Sequence, residues 1–321
     1  MRILVTGGAG FIGSHLCEQL ILEGHVVTAF DNLSTGRASN LSDLVGSPNF
    51  TFVEGSILDV NVLGHLIKDT DYVFHLAAAV GVFNIVNNPL ASLLTNIRGT
   101  ENVLEAAYGS NTPVFLTSSS EVYGKNISDS LKESDDRILG SPVTLRWSYS
   151  EAKAIDESLA YAYFVEKQLE TRIVRFFNTV GPRQLGAYGM VVPRFVKAAL
   201  TNEPITIYGD GNQTRCFAHV YDVVDAVIAI AFANSTIGKV INIGNDFEIS
   251  INGLARKIIE ETKSKSEIVY VPYAEAYGDG FEDMERRVPN IDLISRLVGW
   301  KPKRDLSTMI ADISVEMKKS S

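Results

Sequence analysis

Seven residues near the N-terminus, Gly7-Gly8-Ala9-Gly10-Phe11-Ile12-Gly13, restrict this chain more than any other stretch. Residues 2–6 before them read as a short buried strand, and residues 14–22 after them carry helical periodicity. Glycines at 7, 10 and 13 permit a tight turn and leave bare backbone for a pyrophosphate to approach. The helix start then presents free N–H groups and a partial positive charge. A glycine triplet alone is equally a plain tight turn. Here its setting decides, because residues 26–30 form a second strand ending in Asp31. An acidic residue at that distance takes the adenine ribose hydroxyls and disfavours a 2′-phosphate. NAD is the expected cofactor, with Arg37 in the next loop the cation that could meet a 2′-phosphate instead.

The strand–helix alternation continues. Residues 51–54, 71–76 and 113–116 read as strands, with helices over 62–68 and 91–108. Small residues Ala77-Ala78-Ala79 leave the fourth strand, either for close approach of a cofactor or for tight helix–sheet packing. The expected fold class is α/β, a doubly wound parallel Rossmann sheet. The chain has 321 residues, enough for one large domain or two smaller ones. It is 45% apolar and 21% charged, an ordinary globular balance without a run long enough to span a bilayer. Neither a signal-peptide layout nor a disulfide framework is present in a chain with two cysteines, so a cytoplasmic setting is expected. A net charge of −9 argues against nucleic acid, and an anionic substrate would need local basic residues. Among His, Cys, Asp and Glu no cluster has metal-ligand spacing, and His219 reads as structural.

The fifth strand delivers Thr117-Ser118-Ser119-Ser120-Glu121-Val122-Tyr123-Gly124 to the edge of the sheet where ligands bind in such folds. Some thirty residues on, Tyr149 and Lys153 stand four apart and share one face of a helix running through residue 163. An ammonium beside a phenol favours the phenolate, and such a tyrosine can take a proton from a sugar hydroxyl while hydride leaves for the nicotinamide. Any long helix can hold such a pair by chance. The hydroxyl run upstream gives this one its meaning.

With these residues in place the chain resembles the extended short-chain dehydrogenase/reductases that act on nucleotide sugars as epimerases, dehydratases and decarboxylases. The resemblance runs through the glycine loop, Asp31, His75-Leu76-Ala77-Ala78, residues 119–124 and Tyr149/Lys153. It continues through residues 175–183, 208–217, 286–291 and 297–302. It implies a Rossmann domain over about 1–175 and a smaller C-terminal α/β substrate domain over 176–321, some of whose segments return to the sheet. It implies a homodimer. It also implies that NAD is held by Gly7, Gly10, Phe11, Ile12, Gly13, Asp31 and Asn32, then by Ser56, Ile57, Leu76, Ala77, Ala78 and Asn96, with Tyr149 and Lys153. A nucleotide diphosphate sugar, of the UDP type, would be met by Asn178, Arg183, Val192, Arg215 and Arg287. Paired arginines such as Arg286-Arg287 are otherwise a solvated face.

Glu121 divides the functions. A simple 4-epimerase needs Tyr149, Lys153 and one hydroxyl, supplied by Ser119 or Ser120. Dehydratases and UDP-glucuronate decarboxylases resembling this chain carry a glutamate at this place. The Arg-Trp-x-Tyr-Ser lead-in and Thr214-Arg215-Cys216-Phe217 resemble the decarboxylase branch, which assigns Arg215 to the departing carboxylate. Ser120 stands where dTDP-glucose dehydratases have an aspartate. The expected activity is UDP-glucuronate decarboxylation. The alternatives are a UDP-glucose or UDP-glucuronate 4-epimerase, in which Glu121 is structural, then a 4,6-dehydratase, then a non-catalytic NAD sensor with no need of the Tyr149/Lys153 pair.

Overall fold

The computed structural model describes residues 1–81, 85, 87–186, 190–272, 275, 284 and 286–319. Tyr188, expected to border the sugar, and almost all of the acidic loop expected as a lid at 273–285 lie outside them. Seven strands form one parallel sheet: β1 (Arg2–Thr6), β2 (Val26–Asp31), β3 (Phe50–Glu54), β4 (Tyr72–His75), β5 (Val114–Ser119), β6 (Thr171–Phe176) and, from the C-terminal half, β11 (Val240–Ile243). Their order is β3-β2-β1-β4-β5-β6-β11. The direction of winding reverses between β1 and β4, whose register pairs Thr6 with His75. A crevice opens at such a reversal, outside the carboxyl ends of the strands.

Helices cover both faces, which is why Ile3-Leu4-Val5 and Val73-Phe74 are buried as continuous apolar runs rather than alternating ones. On one face lie α1 (Phe11–Leu22), α6 (Val220–Ala231) and α8 (Asp292–Val298), with Leu16, Leu20, Val223, Val227 and Ile294 in their shared core. On the other lie α2 (Val60–Lys68), α3 (Pro89–Ser110) and α4 (Ser148–Lys167), around Leu63, Ile67, Val103, Leu104 and Ala160. Local signals set their ends. Asp59 caps α2 by accepting from Asn61 and Val62 N–H, both at 3.1 Å. Pro89 opens α3, and Asn111 closes it in the left-handed conformation, φ 51°.

The remaining chain builds a smaller body. Helices α5 (Val191–Thr201), α7 (Ile251–Thr262) and α9 (Leu306–Lys319) enclose Phe195, Ile205, Leu254, Ile258 and Ile310. Short strand pairs join it: β8 (Ile205–Tyr208) with β13 (Ile268–Val271), β9 (Thr214–Cys216) with β12 (Glu248–Ser250), and β7 (Thr179–Val180) with β10 (Ala218–His219). The chain crosses back to the large sheet through α6 and β11, so the two bodies are interleaved rather than consecutive. The cleft between them is where the sequence motifs converge. Among the described residues no helix is long and apolar enough to cross a membrane.

Candidate active site

One cleft of about 700 Å³ runs along the carboxyl ends of the sheet strands, between the two bodies. Its floor is the glycine loop. Gly7 has φ +72°, and a Cβ there would stand 2.7 Å from the backbone nitrogen of Ala77. A Cβ on Gly13 would lie 2.1 Å from the Gly7 carbonyl oxygen. No side chain caps α1, so its first N–H groups, on the cleft-lining Phe11 and Ile12, are left for a ligand. Asp31, buried at the end of β2, accepts from the N–H groups of Ala9 at 3.0 Å and Leu33 at 2.8 Å. Burial raises its pKa despite these bonds. Asn32, Ile57, Leu76, Ala77 and Ala78 complete this wall.

The second wall carries acid–base groups. Tyr149 and Lys153 both face the cleft from the first turns of α4. Lys153 Nζ donates to the Thr117 carbonyl and to Asp156 Oδ2, each at 3.1 Å. The expectation that Lys153 lowers the Tyr149 pKa is not met within the protein itself. Burial holds the phenol well above its usual value, and the charges of Glu121 and Asp156 add to this against a hydrogen bond with Ser119. His75 is no site residue. It is buried between Thr6 Oγ1 at 2.7 Å and Thr100 Oγ1 at 3.2 Å, and burial followed by Lys153 lowers its pKa to about 3.

At the end of β5 the chain turns through residues 120–123, with the Ser119 hydroxyl accepting from Glu121 N–H at 3.2 Å. Glu121 is held from both sides. Arg146 Nη1 lies 2.5 Å from its Oε2, and Arg287 Nη1 lies 2.7 Å from its Oε1. Arg287 also donates to Ser120 Oγ at 3.3 Å. Burial opposes ionisation of Glu121, but the two guanidinium groups prevail and bring its pKa down to about 2.

The comparisons agree with this geometry. The model of the NAD dependent epimerase/dehydratase family matches residues 3–244, most of the chain. The chain belongs to that family. A UDP-N-acetyl-alpha-D-glucosaminuronate decarboxylase of Bacillus cytotoxicus is 42% identical over 94% of this chain and 92% of its own length. UDP-glucuronic acid decarboxylase 1 of Xenopus tropicalis is 37% identical over 94% of this chain and 68% of its own. The crystal structure of UDP-glucuronic acid 4-epimerase from Bacillus cereus, with UDP-glucuronic acid and NAD, superposes with a TM-score of 0.90 at 29% identity, covering 100% of both chains.

An enzyme of the epimerase/dehydratase family uses NAD, and the glycine loop fits its pyrophosphate because the uncapped first turn of α1 opens on the cleft beside it. Gly7, Gly10, Phe11, Ile12, Gly13, Asp31 and Asn32 would hold the dinucleotide, which supplies a hydride acceptor. Two residues expected to touch it stand back. Ser56 Oγ accepts from Leu58 N–H at 3.2 Å, while its neighbours Gly55 and Ile57 line the cleft. Asn96 is buried and brackets Ala79, accepting from its N–H at 2.7 Å and donating to its carbonyl at 3.2 Å. These bonds shape the loop at Ala79.

Among the residues expected to meet the sugar nucleotide, Asn178 and Val192 line the smaller body's side of the cleft. Asn178 donates to the Cys216 carbonyl at 3.0 Å, which ties β9 to the sheet edge. Arg183 does not reach the cleft. Its guanidinium turns to α1, onto Ser14 Oγ at 3.1 Å and the carboxylate of Glu18. Arg215 lines the cleft and donates to the Thr214 carbonyl at 2.8 Å, but it is Arg287 and Arg146 that meet Glu121. Arg287, expected at a diphosphate, is therefore engaged with Glu121. Its neighbour Arg286 forms a bidentate pair with Glu248 at 2.8 and 2.9 Å. Arg146 is visible in the sequence only as part of the motif before Tyr149. The signal that could have found it is its position three residues ahead of the tyrosine, near the turn that brings helix and strand end together.

Proposed function

We propose that this protein is an NAD-dependent decarboxylase of a UDP-hexuronate, with UDP-glucuronate as the reference substrate. The observation that carries this is the Arg146–Glu121–Arg287 cluster beside Tyr149. Tyr149 takes the proton of the C4 hydroxyl as hydride leaves C4, with Ser119 oriented on the phenol. The C4 ketone so formed makes the C6 carboxylate that of a β-keto acid. Carbon dioxide leaves, the electron pair of the C5–C6 bond moves onto the C4 oxygen, and the enolate takes a proton at C5 to give the 4-keto pentose. This route needs no base at C5. A dehydratase does need one, and a carboxylate with its pKa near 2 is a poor proton acceptor. The planar guanidinium forks of Arg146 and Arg287 match the geometry of a substrate carboxylate.

A second reading, UDP-glucuronate 4-epimerase, is favoured by the full-length likeness to the Bacillus cereus structure. In that reading Glu121 is a structural counter-ion. Incubation with UDP-glucuronate labelled at C6, followed by nuclear magnetic resonance of the sugar, separates the two. Labelled carbon dioxide and a UDP-pentose are expected; an axial C4 hydroxyl with C6 retained would install the epimerase instead. The 2-acetamido uronate named for the Bacillus cytotoxicus relative belongs in the same assay, since it differs only at C2. Glu121→Gln, by loosening Arg146 and Arg287, should slow carbon dioxide release while sparing C4 oxidation.

The assembly we infer is a homodimer through α3 and α4, which expose Tyr108, Ile155, Tyr161 and Val165. Two buried, unpaired cysteines, Cys17 and Cys216, support a cytoplasmic setting.

A further inference from the structure

Asp156 has no part in the chemistry above, yet it is wholly buried beside the Lys153 ammonium. Its Oδ2 accepts from Nζ at 3.1 Å; burial raises its pKa, against Lys153 and then a hydrogen bond from Thr100, which favour the carboxylate. The next residue, Glu157, offers no substitute. It is closed off by Arg175, at 2.9 and 2.7 Å, and by Ser118 Oγ at 2.5 Å. An ammonium has three N–H groups. Asp156 and the Thr117 carbonyl take two, which leaves one for the cleft that Lys153 lines.

We propose that Asp156 is a positioning residue that fixes the Lys153 ammonium and offsets its charge, so that the Tyr149 base forms only when an oxidised dinucleotide adds its own pyridinium charge nearby. The inference rests on Tyr149 being the base for C4 oxidation, and not on the fate of C6.

The charges around the phenol set the sign. From α4 come Lys153 and Asp156, from the turn after β5 comes Glu121 between Arg146 and Arg287, and His75 stays neutral behind them. Burial, Glu121 and Asp156 all hold the Tyr149 phenol in its protonated form. Asp156 lies two helical turns from Tyr149, and it cancels the one cation on the shared face. A free protein with these groups keeps a neutral phenol. A bound pyridinium restores the positive balance, and the proton becomes removable only where hydride has somewhere to go.

The test is an ultraviolet difference titration of the tyrosinate band in the NAD-bound protein, with the Tyr149→Phe variant as the blank. Asp156→Asn keeps the size of the side chain and removes its charge. Its Tyr149 midpoint should fall by about one pH unit or more, as for loss of a nearby like charge. Asp156→Glu keeps the charge and should keep the wild-type midpoint. An unmoved midpoint in Asp156→Asn, or an equal fall in Asp156→Glu, overturns the proposal. Should Asp156→Asn fail to fold, Asp156→Ser is neutral and smaller and is read in the same way. No sugar enters the titration, so its failure is distinct from a failure to release carbon dioxide. With UDP-glucuronate added, the acidic limb of dinucleotide reduction should move in the same direction as the titration.

Discussion

At the scale of the residue, Glu121 concentrates the energetics of the site. Its carboxylate is held between two buried guanidinium groups. Removing one member of such a set leaves an uncompensated charge, so Glu121→Gln should cost about 2–4 kcal/mol of stability at neutral pH. The pH dependence comes from the lowered pKa. The folded value is about 2 and the ordinary value 4.5, so the stabilisation is fully present above 4.5 and is lost as pH falls through 2. Denaturant midpoints of the wild type and Glu121→Gln should therefore converge over that interval, and parallel curves would show that the clamp is energetically idle. Glu121 itself is legible as the informative residue through the resemblance, since a simple 4-epimerase needs no carboxylate there, with a structural role as the alternative. Its partners are not. Arg287 lies 166 positions away, and its segment is brought to the site by tertiary contacts such as the pairing of Leu131 with Pro289.

The glycine loop and the first five strands illustrate how far an element can be read from sequence. Each of those strands is buried on both faces or flanked by turn residues, and glycine at 7, 10 and 13 has a steric cause. Gly13→Ala would force a Cβ to 2.1 Å from the Gly7 carbonyl. It should weaken NAD binding at least tenfold, about 1.4 kcal/mol, in a fluorescence titration. Wild-type affinity in that variant would mean that the loop has another way to relax. Strands β7, β9, β10 and β12 are not legible in the sequence. At two or three residues each, they are too short to show a period and exist through tertiary pairing. Helices α7, α8 and α9 are absent from the sequence expectations although α7 is amphipathic and capped by Ser250, which accepts from Gly253 N–H at 3.0 Å. For α7, at least, the sequence carries a sufficient signal. Arg183 misleads for a different reason: a motif position fixes the backbone near a cleft but not the direction in which a long side chain leaves it.

The whole molecule is interleaved, since β11 and α6 return from the C-terminal half to the large sheet. That arrangement predicts one cooperative unfolding transition rather than two. The two tryptophans suit the measurement. Trp147 is buried beside the active-site arginine Arg146, and Trp300 donates to the Asp222 carbonyl at 3.0 Å on α6. Trp147→Phe and Trp300→Phe, each monitored through the remaining fluorophore, should give coincident denaturant midpoints after correction for the substitutions. Separate midpoints would mean that the two faces of the large sheet melt independently. A layout of this kind is only partly visible in the sequence, because composition does not change along the chain and nothing marks where it crosses back.

The four-residue turn at 120–123 has a consequence for how such enzymes diversify. It is pinned at one end by β5 and at the other by Tyr123, whose hydroxyl donates to Asn242 Oδ1 at 2.8 Å. Neither anchor involves the side chain of residue 121. The turn is thus a small cassette, and its central side chain can be exchanged while both ends stay fixed. Tyr149 and Lys153, the proposed oxidation pair, stand on a separate helix, and an exchange in the cassette reaches Tyr149 through the charge at residue 121. Selection, in a genome or in a library, can then redirect the ketone to a different product by sampling residues 120 and 121 with their arginine partners, without rebuilding the machinery that makes it.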